Sequence, residues 1–257
     1  MPQVIKMAAE TGYDGIELRF VEGQDSLWKL AAFSGTGLAE TKRALSESGL
    51  AISCVDTSCR FHFPDAIERA RWVEEGERMA ALASDLGAPG VRVFGDTIQP
   101  GANRVSTRSW IADGIREVAE RSANVEVWIE SHGDFSSAEE TAAILDEARA
   151  KNTGILWDPV NSYVENGKRP QDQARVLGGR VRHVHVKDLR RDGEGWRYML
   201  TGEGEFPFAE LKVALRDLHY DGFISFEWEK KWHPEIEEPE VALPHFVKWF
   251  REGWTRD

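Results

Sequence analysis

Short apolar, β-branched runs alternate with longer segments of helical period along almost the whole chain. The strand candidates are 15–18, 51–56, 90–94, 125–130, 154–158, 181–187 and 222–227. Between them lie helical stretches such as 66–86, 107–122, 138–150 and 208–218. Strand, helix, strand at about 30-residue intervals is the pattern of βαβ units and a parallel sheet. Glycine often precedes a strand, as at Gly12, Gly49, Gly87 and Gly154, where a helix ends and the chain turns into the sheet.

The pattern predicts an α/β fold, a (β/α)8 barrel with seven recognisable strands. Residues 2–11 already read as a helix leading into the strand at Gly15, so the first β-strand of the barrel is missing from the pattern. The barrel either closes with seven strands or has a gap beside the Gly15 strand. At the other end, 241–254 carries Val241, Leu243, Phe246, Val247, Trp249, Phe250 and Trp254. That is an amphipathic helix, expected at about 240–254, for the outside of the barrel or for a partner subunit, which leaves room for a homodimer. Residues 1–257 read as a single domain, without internal repeat, low-complexity tract or linker.

Four strand candidates end on a metal-ligating residue type. They are Glu130 in Trp128-Ile129-Glu130-Ser131-His132, Asp158 in Leu156-Trp157-Asp158-Pro159, His185 in His183-Val184-His185-Val186-Lys187-Asp188, and Glu227 in Ser225-Phe226-Glu227-Trp228-Glu229. Alternation turns Trp128, Glu130 and His132 to one face, His183, His185 and Lys187 likewise, and Ser225, Glu227 and Glu229 likewise. The carboxyl ends of barrel strands are where catalytic groups collect. Three carboxylates and one imidazole suit Mn2+, Mg2+ or Co2+ better than a structural Zn2+ site. Octahedral coordination leaves positions for substrate oxygens.

Composition narrows the partners. A 257-residue chain with 41% hydrophobic residues and ten Trp can build a packed core, and its net charge of −12 repels a phosphate backbone. A small polar metabolite is the expected partner, not nucleic acid. The apolar runs are too short for a membrane span and no secretory leader opens the chain. Cys54 and Cys59 are the only cysteines, which suits a reducing cytoplasm.

From Gly12-Tyr13-Asp14-Gly15-Ile16-Glu17-Leu18-Arg19 through Glu227 the sequence resembles the xylose-isomerase-like TIM-barrel superfamily, the sugar isomerase/epimerase and type IV apurinic endonuclease group. Its most specific pieces here are Glu130-Ser131-His132-Gly133-Asp134-Phe135, Trp157-Asp158-Pro159-Val160-Asn161 and His183-Val184-His185-Val186-Lys187-Asp188. The resemblance implies one divalent ion (Mn2+ first; Mg2+, Co2+ or Zn2+ as alternatives) on Glu130, Asp158, His185 and Glu227. It implies a sugar or polyol-ketone isomerase or epimerase working through an enediolate, with Glu130 and Glu227 as base and acid. The alternative is a dehydratase of the inosose or 3-dehydroshikimate type, with His132 or Lys187 as proton donor. His132 and Lys187 look more like that dehydratase branch. A non-catalytic binding barrel is the reading from another class. Asn161 stands where the DNA-repair members and the ketohexose 3-epimerases tend to carry His, so the three-zinc repair cluster cannot assemble in that form. Asn161 is instead counted as a substrate contact.

Further substrate contacts are expected at Glu17, His62 and Arg191. Glu17 and Arg19 close the first strand and offer hydrogen bonds to hydroxyls, or a rim salt bridge. Arg191 lies six residues beyond His185, where related epimerases place a substrate-binding Arg, within a charged run (187–194) that reads otherwise as a solvated loop. His62 lies between Phe61 and Phe63 and reads as a pocket or rim residue. Arg92 and Asp96 share a strand face as a structural ion pair. His183 reads as a lower-layer core histidine, and alternation turns Trp157 and Trp228 outward.

Overall fold

The computed structural model describes residues 1–122 and 124–254. The chain opens with α1 (Pro2–Thr11) and continues β1 (Gly15–Leu18), α2 (Gly35–Glu47), β2 (Ala51–Arg60), α3 (Ala66–Leu86), β3 (Gly90–Phe94) and α4 (Arg104–Arg121). There follow β4 (Glu126–Glu130), α5 (Ala138–Ala148), β5 (Thr153–Trp157), α6 (Pro159–Asn166), α7 (Pro170–Leu177) and β6 (Val181–Val186). A hairpin of β7 (Asp188–Asp192) and β8 (Gly195–Met199), then α8 (Phe208–Asp217), β9 (Ile224–Phe226) and α9 (Pro239–Trp249), complete it.

Seven parallel strands lie in the order β1-β2-β3-β4-β5-β6-β9, with the helices around them: a TIM barrel without its first strand. Val91, Val93, Val127, Ile129 and Ile155 are fully buried and join the helix residues Ile111, Ile115 and Ile144 in one core. The opposite strand faces fill the barrel. Cys54, Trp128 and Leu156 form a separate apolar layer inside it, and the Trp128 ring stacks on His183 at 5.7 Å. That layer is the floor on which the polar strand ends stand.

Of the two expected closures, the gap is the one found. Among the described residues β1 pairs with β2 alone and β9 with β6 alone, and a cavity of about 760 Å³ lies between β1 and β9. Helix α9 covers this seam. Phe246 stacks on Phe226 of β9 at 4.5 Å and on Tyr13 at 6.2 Å, and the Tyr13 hydroxyl donates to the Leu243 carbonyl at 3.1 Å. The C-terminal amphipathic helix therefore packs on the barrel itself. Among the described residues no helix is long and apolar enough to cross a membrane.

Two expectations need correction. Strand β2 runs on to Arg60: Ser58 faces the barrel mouth and donates to Asp25, while Thr57 is buried and donates to the Arg92 carbonyl of β3. The charged run 187–194 is not a loop: residues 188–199 form the antiparallel β7–β8 hairpin. Asp188 anchors its base, accepting from the backbone N–H groups of Leu189, Gly202 and Gly204 at 2.8–2.9 Å and of Phe206 at 3.2 Å. The Gly202-Glu203-Gly204-Glu205 stretch is thus wrapped round a carboxylate.

Candidate metal centre

Each of the four strand-end residues is placed by its own local structure. Asp158 caps α6: its Oδ1 accepts from the N–H groups of Val160 and Asn161, both at 2.9 Å, which orients Oδ2 into the barrel. Ser131 ties the ends of β4 and β5 together, its Oγ accepting from the Asp158 N–H at 2.9 Å. Glu130 is held by Arg92, whose Nη1 lies 3.3 Å from Oε2 while Nη2 donates to Asp56 Oδ2 at 2.8 Å. Glu227 follows β9 directly, its N–H donating to the Val186 carbonyl at 3.0 Å.

His185 stands between them. Its Nε2 lies 2.9 Å from Glu17 Oε1, while Glu17 Oε2 lies 3.1 Å from His183 Nε2. The other ring nitrogen, Nδ1, is buried and among the described residues has no hydrogen-bond partner; it faces Glu130 Oε1 at 3.8 Å and Glu227 Oε1 at 3.6 Å. Glu130, Asp158, His185 and Glu227 offer ligand atoms within 4.8 Å of one another. An unpartnered buried nitrogen facing three carboxylates fits a divalent cation. The Glu17–His185 bond adds the outer carboxylate that orients a ligating imidazole.

Electrostatics agree with that fit. Burial pushes Glu130 up, but Arg92 and then His185 outweigh it and hold the carboxyl well below its usual range. Burial raises Asp158 to about 6, with Lys187 opposing and the charges of Glu227 and Glu130 adding. Burial likewise raises Asp56 to about 6 against the pull of Arg92. Burial pushes His185 down, yet Glu17 and Glu227 carry it well above its ordinary value. The Lys187 ammonium is buried among carboxylates: Glu227 Oε2 at 2.5 Å, Asp158 Oδ2 at 2.8 Å and Glu229 Oε1 at 3.0 Å. Crowded acids with one lysine among them are what a divalent charge would relieve.

A cavity of about 960 Å³ opens above the quartet. His132 lines it, stacked on Phe94 at 5.2 Å with Nδ1 3.8 Å from Asp96 Oδ1. Lys187 and Asn161 line it too; the Asn161 amide donates to the Ser131 carbonyl at 3.1 Å. Glu17 reaches the cavity floor, committed to the two histidines. Two expected substrate contacts lie elsewhere. His62 is buried beneath the rim, its Nδ1 accepting from the Thr97 N–H at 3.2 Å, and Arg191 is an exposed residue of β7 lying over Trp196 at 4.6 Å. Neither lines the cavity.

The expected Arg92–Asp96 pairing and the expected direction of Trp228 both differ in the structure. Arg92 pairs with Asp56 and Glu130, whereas Asp96 turns to Arg60 at 2.5 Å. Asp96 has left φ of the strand region, at 56°, so alternation no longer sets its direction. Gly133 permits this corner: a Cβ there would meet the Asp96 carbonyl at 2.6 Å, and the Asp134 N–H donates to that carbonyl at 2.9 Å. Trp157 does face outward, its Nε1 donating to Gln173 of α7 at 2.7 Å. Trp228 instead lines the cavity, because β9 ends at Phe226 and the strand period stops there. Asp56, Arg60 and Glu229 are site residues that sequence reasoning missed. Glu229 shares the strand-parity face of Glu227, a signal that could have placed it.

The chain belongs to the xylose isomerase-like TIM-barrel family, whose sequence model matches residues 5–253. It is 28% identical over 93 residues to a D-psicose 3-epimerase of Enterocloster bolteae, covering 36% of this chain and 28% of that one. It is 28% identical over 126 residues to an inosose dehydratase of Bacillus velezensis, covering 42% and 39%. The chain thus spans less than half the length of both relatives. Among solved structures, the probable 3-DHS dehydratase AsbF from Bacillus anthracis superposes with a TM-score of 0.79 at 21% identity, covering 99% of this chain and 93% of that one. At that identity the likeness is one of fold.

Proposed function

We propose that this barrel is a divalent-metal-dependent isomerase or epimerase of a sugar or polyol ketone, with Mn2+ as the first choice of ion. The observation that carries the reading is the buried, unpartnered Nδ1 of His185 facing Glu130 and Glu227. Glu130, Asp158, His185 and Glu227 would hold the ion, which when bound supplies a Lewis acid for a carbonyl and an adjacent hydroxyl oxygen.

The rest of the chemistry falls to the chain. Glu130 and Glu227 approach from β4 and from the end of β9, on two sides of His185. A carboxylate that removes the proton on carbon from one face, with a second that returns one from the other, inverts that carbon. One carboxylate moving the proton between neighbouring carbons interconverts aldose and ketose. Arg92 fixes the Glu130 carboxylate, and Asn161 at the wall offers hydrogen bonds to substrate oxygens. Phe94, Tyr198 and Trp228 narrow the cavity and shed water from it.

A second reading is favoured by Lys187 and His132. Both line the cavity, and both are groups that can protonate a leaving hydroxyl, which would make the enzyme a dehydratase. Charge and Asn161 both weigh against a nucleic-acid substrate. The test is a product screen of Mn2+-reconstituted protein over ketoses, inososes and dehydroshikimate, read by mass spectrometry. Products of unchanged mass are expected. A loss of about 18 Da, one water, would assign the dehydratase. Glu130→Ala and Asp158→Ala should abolish both metal binding and turnover; turnover retained by a metal-free variant would sink the proposal, and a protein that takes up no metal would be the binding barrel.

A further inference from the structure

Most cations of the cavity have a carboxylate: Arg60 has Asp96, Arg92 has Asp56 and Glu130, and Lys187 has three. Two do not. Arg19 follows β1 directly, two residues beyond Glu17, and Lys231 lies in the loop after β9; both line the cavity. Among the described residues neither has a carboxylate in ion-pair contact. Arg19 Nη1 donates to Ser58 Oγ at 3.0 Å, and Ser58 in turn donates to Asp25 Oδ2 at 2.7 Å. That relay orients the guanidinium, and among the described residues Ser58 is the one side chain in hydrogen-bond contact with its five N–H donors.

The two cations meet on one ring. Arg19 Cζ is 4.2 Å and Lys231 Nζ 3.0 Å from the centre of Phe20. The like charges therefore stand within about 7 Å of each other, a repulsive arrangement that a bound anion would convert into an attractive one. Aromatic contact alone accounts for each cation singly but not for gathering both at the mouth of one cavity. The chain as a whole carries net charge −12 and repels anions at long range, so an anionic substrate would need a local counter-charge here.

We propose that Arg19 and Lys231 form a subsite for the anionic group, carboxylate or phosphate, of a substrate whose hydroxyl-bearing carbons reach the quartet. The substrate class is then a sugar acid or sugar phosphate, not a neutral ketose. This rests on the cavity being the catalytic site of the proposed function.

The test is a tryptophan-fluorescence titration, with Trp228 and Trp232 in the cavity wall as reporters, on protein with and without Mn2+. The probes are D-ribonate, D-ribose 5-phosphate and neutral ribitol. At low salt one or both anions should bind roughly tenfold more tightly than ribitol, with or without the ion. Which anion does so assigns carboxylate or phosphate. Arg19→Met and Lys231→Met should each remove most of the preference, and Arg19→Lys should keep part of it. Lys231 is exposed, so Lys231→Met tests the subsite in a folded protein even where Arg19→Met does not fold. Ribitol binding as tightly as both anions, or a preference unchanged in Lys231→Met, would overturn the proposal. An intact anion preference in a protein that turns over nothing in the product screen, extended to sugar acids and sugar phosphates, would remove the isomerase reading and leave the subsite standing.

Discussion

Glu17 Oε1 lies 2.9 Å from His185 Nε2, on the far side of the imidazole from the nitrogen that faces the quartet. One carboxylate on β1 thereby fixes the tautomer and the plane of an imidazole on β6. Glu17→Gln should keep the fold and weaken Mn2+ binding by about 10- to 100-fold, the usual cost of losing such an outer partner. Calorimetric titration with Mn2+ reads this directly. Unchanged affinity would return Glu17 to the substrate-contact role that its position at a strand end first suggests.

Lys187 shares Asp158 and Glu227 with the proposed ion. In metal-free protein, Lys187→Met should cost about 3–5 kcal/mol, because it strands buried carboxylates without their counter-charge. Added Mn2+ should restore much of that, so the metal-induced rise in melting temperature should be larger in the variant than in the wild type. An equal rise in both would show that lysine and ion do not share the same carboxylates.

The strand ends were legible because period-2 alternation assigns a side chain to the barrel wherever the backbone is still a strand. Glu130 and His185 obey it, one strand position from a residue packed on the helices. It fails where the strand stops: Asp96 turns away at φ 56°, and Trp228 comes inward beyond the end of β9. The β7–β8 hairpin was hidden by charge, since Arg190, Arg191 and Asp192 resemble a solvated loop. Its local signal was the two-residue loop Gly193-Glu194, with Gly at the first central position, between Leu189 and the aromatic pair Trp196 and Tyr198, a short-hairpin signature that outranks charge. Arg191 points to the same limit, because a six-residue offset from His185 says nothing about which side of a hairpin carries the side chain. Glu17 was legible as a strand-end residue, but its pairing with His183 and His185 was not. Its two partners are 166 and 168 residues away, and no local pattern records so distant a contact.

Gly114 of α4 lies against the Phe61 ring, where a Cβ would overlap the ring carbons. Gly114→Ala gains helix propensity of roughly 1 kcal/mol but overpacks the contact at up to about 3 kcal/mol. A net loss on the order of 1–2 kcal/mol is expected from the denaturation midpoint, with metal binding unchanged because the site is on the other side of the sheet. A stabilised variant would contradict the close packing of α4 on Phe61.

His62 is buried, and burial lowers its pKa below 6.5, with Asp96 pulling the other way. The unfolded chain therefore binds a proton more readily than the folded one as pH falls through 6.5. Stability contributed by the neutral ring is full above that pH and is lost progressively as pH drops from 6.5 to the folded value, with no further change below it. His62→Gln should flatten the slope of unfolding free energy against pH in that window. A slope identical to the wild type would show that the ring titrates as though exposed.

The most direct measurement is the metal content of the purified protein after reconstitution with excess Mn2+ and removal of free ion, by plasma mass spectrometry. Roughly one ion per chain is expected in the wild type and none in Asp158→Ala or His185→Ala, both checked for native circular dichroism. Full metal content in those two variants, or a wild type that retains none, would contradict the quartet of Glu130, Asp158, His185 and Glu227 as the metal centre.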